Sequence, residues 1–131
     1  MRVYFAHPVT DYGTERQAGA LAVLLAAGFD VESPDQPHHQ NGYQSEGMAY
    51  FTRLVGECDG LVFLRFPNGS VGAGVGKEIG AAADARLPIW DVSSGQLKRM
   101  DGLPNVMSVE ETRTMLAQLR RAPVLYGSPA A

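Results

Sequence analysis

The chain has 131 residues, 45% of them apolar and 19% charged, with a net charge of −3. That size suits one domain around one core, and the composition is that of a folded protein and not a disordered one. The acidic balance and scattered Lys and Arg argue against a nucleic-acid surface, and no apolar run approaches the ~20 residues of a membrane span.

The expected organisation is a single domain over residues 1–131, and a cytoplasmic location follows from a start at MRVYFAHP without the marks of a signal peptide. The lone cysteine, Cys58, excludes an internal disulfide and a cysteine-based zinc cluster; ahead of an apolar strand it reads as a small core residue.

Val3 to Ala6 form a short apolar run, a buried first strand bounded by Pro8. From Thr14 to Ala27 the positions Ala18, Leu21, Leu24 and Leu25 follow helical spacing, with Gly28 as the C-cap. Phe29 to Glu32 read as a second strand. Pro34 to Gln44, with two prolines, two histidines and a glycine, read as the longest loop. Ser45 is then expected to cap a helix running to about Glu57. Gly60 to Arg65 (GLVFLR) form the third strand. The turn FPNGSVGAGVG leads into a helix from about Gly74 to Ala85. Pro88 to Val92 make a fourth strand, and Val106 with Met107 suggest a short fifth. Ser108 and Glu111 form a capping box before a last helix to about Arg121, where Arg120 and Arg121 suit the helix dipole. The tail APVLYGSPAA reads as irregular.

Strands and helices alternate, and the strands are short and continuously apolar. This predicts an α/β fold: a three-layer, doubly wound parallel sheet in the flavodoxin-like order 2-1-3-4-5. Ligands of such sheets bind outside the carboxyl ends of strands one and three, where the strand order reverses. The loops after Ala6 and after Arg65 therefore meet.

The second loop contains the most informative segment, Asn68 to Gly80 (NGSVGAGVGKEIG). Glycines let backbone N–H groups approach a ligand, and a helix N-terminus favours an anion. The spacing is neither GxGxxG nor a P-loop, since Lys77 is followed by Glu78. A tight packing turn is the bland alternative. Glu78 near the helix start is favoured by the dipole, and it is also a candidate nucleophile at an anomeric carbon.

The run GVGKEIGAA, Gly74 to Ala82, resembles the glycine–hydrophobic–glycine–x–Glu segment of the nucleoside 2-deoxyribosyltransferases and the related deoxynucleotide N-hydrolases. VYFAHP resembles their opening strand with its active-site tyrosine, matched by Tyr4. CDGLVFL resembles their strand preceded by an acidic residue, matched by Asp59. The likeness spans roughly the first 92 residues in element order. It implies Glu78 as the nucleophile at C1′ of the sugar, with Tyr4 orienting it. It also implies that the Gly72 to Gly76 backbone, including Gly74, holds the hydroxymethyl or phosphate end; Ser70 or Asn68 is the candidate for the side-chain contact that Gly72 cannot make. The ligand would be a nucleoside or nucleotide, with no cofactor, and the assembly a homo-oligomer, a dimer or larger. Two positions depart from the family pattern. Phe51 stands where an Asp commonly assists the leaving base, and Gly72 where an Asp or Ser often precedes the nucleophile. The acid role then falls to His7, His38, His39 or Glu46, or is absent. A non-catalytic nucleotide or nucleotide-sugar sensing domain is the alternative function. A cytokinin-activating type of phosphoribohydrolase is disfavoured, because its PGGxGTxxE pattern is missing.

Other candidates carry simpler explanations. His7 is a general acid or a polar residue bonded to loop backbone. His38 and His39 read as a solvated pair, with no carboxylate at metal-ligand spacing, so no metal is expected. Asp91 reads as a turn former. Tyr43, Tyr50 and Phe51 suit either base stacking or core packing.

Overall fold

The structure is a computed structural model and describes residues 1–121. The expected irregular tail lies outside the described residues. Five strands form one sheet in the order β2-β1-β3-β4-β5. They are β1 (Arg2–Ala6), β2 (Asp30–Glu32), β3 (Gly60–Phe63), β4 (Ile89–Asp91) and β5 (Lys98–Arg99). The first four pair in parallel, with Tyr4 beside both Glu32 and Leu61.

Side chains alternate across the sheet and build two cores. Tyr4, Ala6, Leu61 and Phe63 face α3 (Met48–Gly56) and α4 (Ala73–Asp84), meeting Phe51, Val55, Val75 and Ile79. Val3, Phe5, Val62 and Leu64 face α1 (Glu15–Ala26), meeting Ala20 and Leu24. Both faces of β1 and β3 are covered, which is why these strands read as unbroken apolar runs. Thr14 caps α1 by accepting from Gln17 N, and Gly28 follows the helix at φ +82°.

Three expectations are corrected. The stretch Pro34 to Gln44 is not a loop throughout. Pro37 starts a 3-10 turn over Pro37–His39, and α2 (Gln40–Glu46) follows. A proline is preorganised for a helix start, which a composition argument treats as a breaker. Ser45 therefore lies inside α2 and caps nothing. The single helix expected to Glu57 is broken at Gly47, whose φ of 63° and ψ of −143° suit only glycine. The fifth strand is Lys98–Arg99, running antiparallel to β4, and not Val106-Met107. Val106 makes only an isolated parallel bridge to Val71. An exposed edge pair of two cations has no apolar signal to read.

The capping box holds: Ser108 and Glu111 exchange hydrogen bonds at the head of α5 (Val109–Arg121). Helix α5 touches both α4 and the 3-10 turn Val9–Asp11, so it borders the carboxyl ends of β1 and β3. Among the described residues, no helix is long and apolar enough to cross a membrane.

Candidate active site

A crevice of about 430 Å³ opens at the carboxyl ends of β1 and β3. Its walls come from several elements, with Phe66 after β3 among them. The loop after β1 supplies His7, Pro8, Val9 and Tyr12. The segment after β2 supplies Pro34, Asp35, His39, Gln40 and Tyr43. Helix α3 supplies Met48 and Phe51. The amino end of α4 and one face of α5 supply Gly72, Gly74, Val75, Glu78, Thr112 and Leu116. The lining is mostly apolar and aromatic, with a few converging polar groups, as in small-molecule sites.

Glu78 sits one residue further into α4 than the sequence suggested, in its second turn, and it is buried at 5% exposure. Tyr4 is fully buried on the α4 side of β1, and its hydroxyl donates to Glu78 Oε2. Burial pushes the Glu78 carboxyl up to about 8, opposed by the Tyr4 hydrogen bond. Burial and the adjacent carboxylate raise the Tyr4 hydroxyl well above the usual phenol range, so it stays a donor.

The first turn of α4 faces the same crevice. Ala73 N donates to Thr112 Oγ1 at 2.9 Å, and Thr112 in turn donates to Ser108 O at 2.8 Å. A residue of α5 thus caps α4. Among the described residues, the N–H groups of Gly74 and Val75 have no protein acceptor. Free donors of this kind are what a helix N-terminus offers to an anion.

His7 lines the crevice, but its hydrogen-bonding capacity is spent. Gln17 Oε1 accepts from Gly13 N at 2.7 Å, which fixes that amide. Gln17 Nε2 then donates to His7 Nε2 at 3.0 Å and to Asp35 Oδ2 at 2.6 Å. His7 Nδ1 must carry the proton, which it donates to Phe5 O at 3.0 Å. Burial also lowers its pKa, against the pull of the Phe5 carbonyl, Asp35 and Asp11. The imidazole is neutral and held in one tautomer, so it is a poor general acid.

Asp35 is the site carboxylate that sequence reasoning missed. Burial pushes its pKa up, but hydrogen bonds from Ser33 and Gln17 outweigh it and hold the group below the usual range. Its bond to Gln17, on a separate element, has no local sequence signal. Glu78 and Asp35 thus have pKa values driven apart by their surroundings, a pattern of sites that do acid–base or ionic chemistry. Tyr12 also lines the crevice; burial first, then the charges of Glu78 and Asp35, raise its hydroxyl above the usual range.

Several expected site residues lie elsewhere. Asp59 is exposed at the amino end of β3, where Oδ2 accepts from Arg2 N at 2.9 Å. Asn68 Oδ1 accepts from Ser70 N at 3.0 Å and from Ser70 Oγ at 2.6 Å, so the pair closes its own turn. Ser70 borders a different, shallower hollow with Arg65. A β-carbon on Gly76 would lie 2.3 Å from Val106 Cγ1, so this glycine serves packing. Gly72 and Gly74 do line the crevice. Lys77 is exposed beside Thr52 and Asp84, outside the crevice.

The remaining acid candidates are engaged or remote. His38 is exposed, Glu46 pairs with Arg53 at the surface, and His39 is buried between Glu32 and Tyr50. His39 is therefore not part of a solvated loop. Phe51 is a core residue at the crevice wall. Asp91 accepts from Arg65 Nε and Ser93 N, both at 2.8 Å, as a turn former does. Cys58 is buried, and burial pushes its thiol up to about 11, which leaves it inert.

Fold and site together define an α/β protein whose switch-point crevice is lined by a buried carboxyl, Glu78, held by a core tyrosine. Neither protein-family models nor curated protein sequences match this chain.

Proposed function

We infer that the protein cleaves the N-glycosidic bond of a nucleoside or nucleoside 5′-monophosphate. The sugar passes to another base or to water, as the resemblance to the deoxyribosyltransferases and N-hydrolases implies. The observation that carries this reading is Glu78, which lines an apolar crevice beside the N–H groups of Gly74 and Val75 and is held from behind by the buried Tyr4 hydroxyl.

The chemistry follows from burial. As the bond between C1′ and the base nitrogen breaks, the electron pair leaves with the base and positive charge grows at C1′. A carboxylate stripped of water attracts that charge far more strongly than a solvated one. Glu78 Oε then forms an ester to C1′; the acceptor base or water displaces it, and the proton that acceptor gives up balances the one the departed base takes up. Tyr4 holds the carboxylate in place through its hydroxyl. Tyr43, Phe51 and Phe66 offer faces for the base, and Asp35 accepts from a sugar hydroxyl or exocyclic amine.

A second reading is a non-catalytic nucleotide-sensing domain. Phe51 in place of a carboxyl and the saturated His7 favour it, since neither position offers a proton to the leaving base. One experiment separates the two. The protein is incubated with a panel of nucleosides and 5′-monophosphates, with and without a second free base, and chromatography follows base release or exchange. Turnover that disappears in Glu78→Ala supports the enzyme. Saturable binding without any base release supports the sensor.

A further inference from the structure

Glu32, His38 and His39 lie beside the crevice and have no part in the proposed cleavage. Each offers one ligand atom, and the three atoms lie within 4.8 Å of one another. His38 Nε2 and His39 Nε2 both converge on Glu32 Oε1, the former at 3.2 Å. A tetrahedral Zn²⁺ with bonds near 2 Å needs ligand atoms about 3.3 Å apart. The exposed His38 ring is the group with room to adjust; the other two side chains are largely buried.

The geometry points to a divalent zinc-type site formed by Glu32 Oε1, His38 Nε2 and His39 Nε2, with water completing the shell. Two further contacts suit that role. His39 Nδ1 lies 2.6 Å from the Tyr50 hydroxyl, which would accept its proton and leave Nε2 free for the metal, as outer partners of ligating histidines do. Arg2 holds Glu32 Oε2 at 2.7 Å, so the carboxylate presents one oxygen only. The Arg2 charge opposes a cation and keeps the affinity moderate. Adjacent histidines seldom share an ion, but here the 3-10 turn brings their rings within 4.0 Å, tilted at 47°, and both Nε2 atoms reach Glu32 of β2. His39 also lines the crevice, so a bound ion would tie one crevice wall to the sheet edge.

The test uses untagged protein, freed of metal with a chelator. Zn²⁺ is titrated by competition with an indicator dye, and Co²⁺ by its visible absorption. The chain has three histidines, and the third, His7, has both ring nitrogens engaged. Histidine-dependent binding therefore reports this cluster. The expected result is one equivalent of Zn²⁺ at micromolar or tighter affinity, nitrogen-ligand bands with Co²⁺, and no competition from equimolar Mg²⁺. Glu32→Gln should weaken Zn²⁺ at least tenfold. His38→Ala should do the same while leaving the metal-free melting temperature unchanged, since that side chain is 65% exposed. Absence of saturable binding, equal affinity in His38→Ala, or displacement by Mg²⁺ would overturn the site.

Discussion

The Tyr4 hydroxyl of the first strand donates to the Glu78 carboxylate of the fourth helix, 74 residues away, and both side chains are buried. Glu78→Gln keeps the shape and removes the negative charge. Any glycosidic turnover should fall at least about a thousandfold, the scale of losing a nucleophile. Base release by chromatography measures it, with circular dichroism to verify the fold. Turnover close to wild type would remove Glu78 from the mechanism.

The same pair sets a pH dependence. Glu78 must be ionised to act, and burial pushes its carboxyl up to about 8. Turnover should therefore climb between pH 6 and about 8.5. The Tyr4 hydrogen bond favours the ionised form, so Tyr4→Phe should move the climb to higher pH. A rate–pH profile for the two proteins checks both the position and the direction. A shift to lower pH in Tyr4→Phe would contradict this arrangement.

Stability carries the opposite sign. The folded carboxyl titrates near 8 and its ordinary value is 4.5. The stability associated with the neutral form is fully present below pH 4.5 and is lost as pH rises through about 8. Glu78→Gln cannot lose it. The variant should out-melt the wild type, with a gap widening by up to ~1.4 kcal/mol per pH unit across that window and level beyond it. Paired thermal melts at pH 5 and pH 8.5 cancel the other titrating groups. A constant gap would mean that Glu78 is ionised throughout.

Two glycines of the same helix should respond differently. A β-carbon on Gly74 meets only Met48 Cε, at 3.9 Å. Gly74→Ala should change stability by less than about 1 kcal/mol while weakening ligand affinity where the backbone approaches the ligand. A β-carbon on Gly76 collides with Val106, so Gly76→Ala should cost about 1–3 kcal/mol of overpacking. Chemical denaturation and titration calorimetry on both variants measure the contrast. Unchanged affinity in Gly74→Ala would take that glycine out of the site.

The last expectation concerns the 5′ group. The unpaired N–H groups of Gly74 and Val75 favour a phosphate over a hydroxyl. Among the described residues no Lys or Arg lines the crevice, so the preference rests on backbone donors. Hydrogen bonds to a charged group contribute on the order of 1.5–3 kcal/mol, or roughly ten- to hundredfold. The lower end is expected here. Paired binding of a nucleoside and its 5′-monophosphate at fixed salt measures it, and a preference for the nucleoside would reassign the donors to the 5′-hydroxyl.

The strand order, the two-sided burial of β1 and β3 and the Ser108–Glu111 capping box were legible in the sequence, because each follows from local periodicity or from chain-order rules. The switch-point position of Glu78 was legible for the same reason. The contents of the crevice were not. Gln17 fixing His7 and Asp35, Thr112 capping α4, and Glu32 meeting His38 and His39 are contacts between separate elements. Asp59 illustrates the converse: adjacent to a central strand in sequence, it lies at the amino end of the sheet, where a parallel topology builds no crevice. Local patterns determine which elements form and which faces they bury. Only the packing of those elements decides whose polar groups satisfy one another, because an amide or carboxylate takes the partner nearest in space, whatever its distance along the chain.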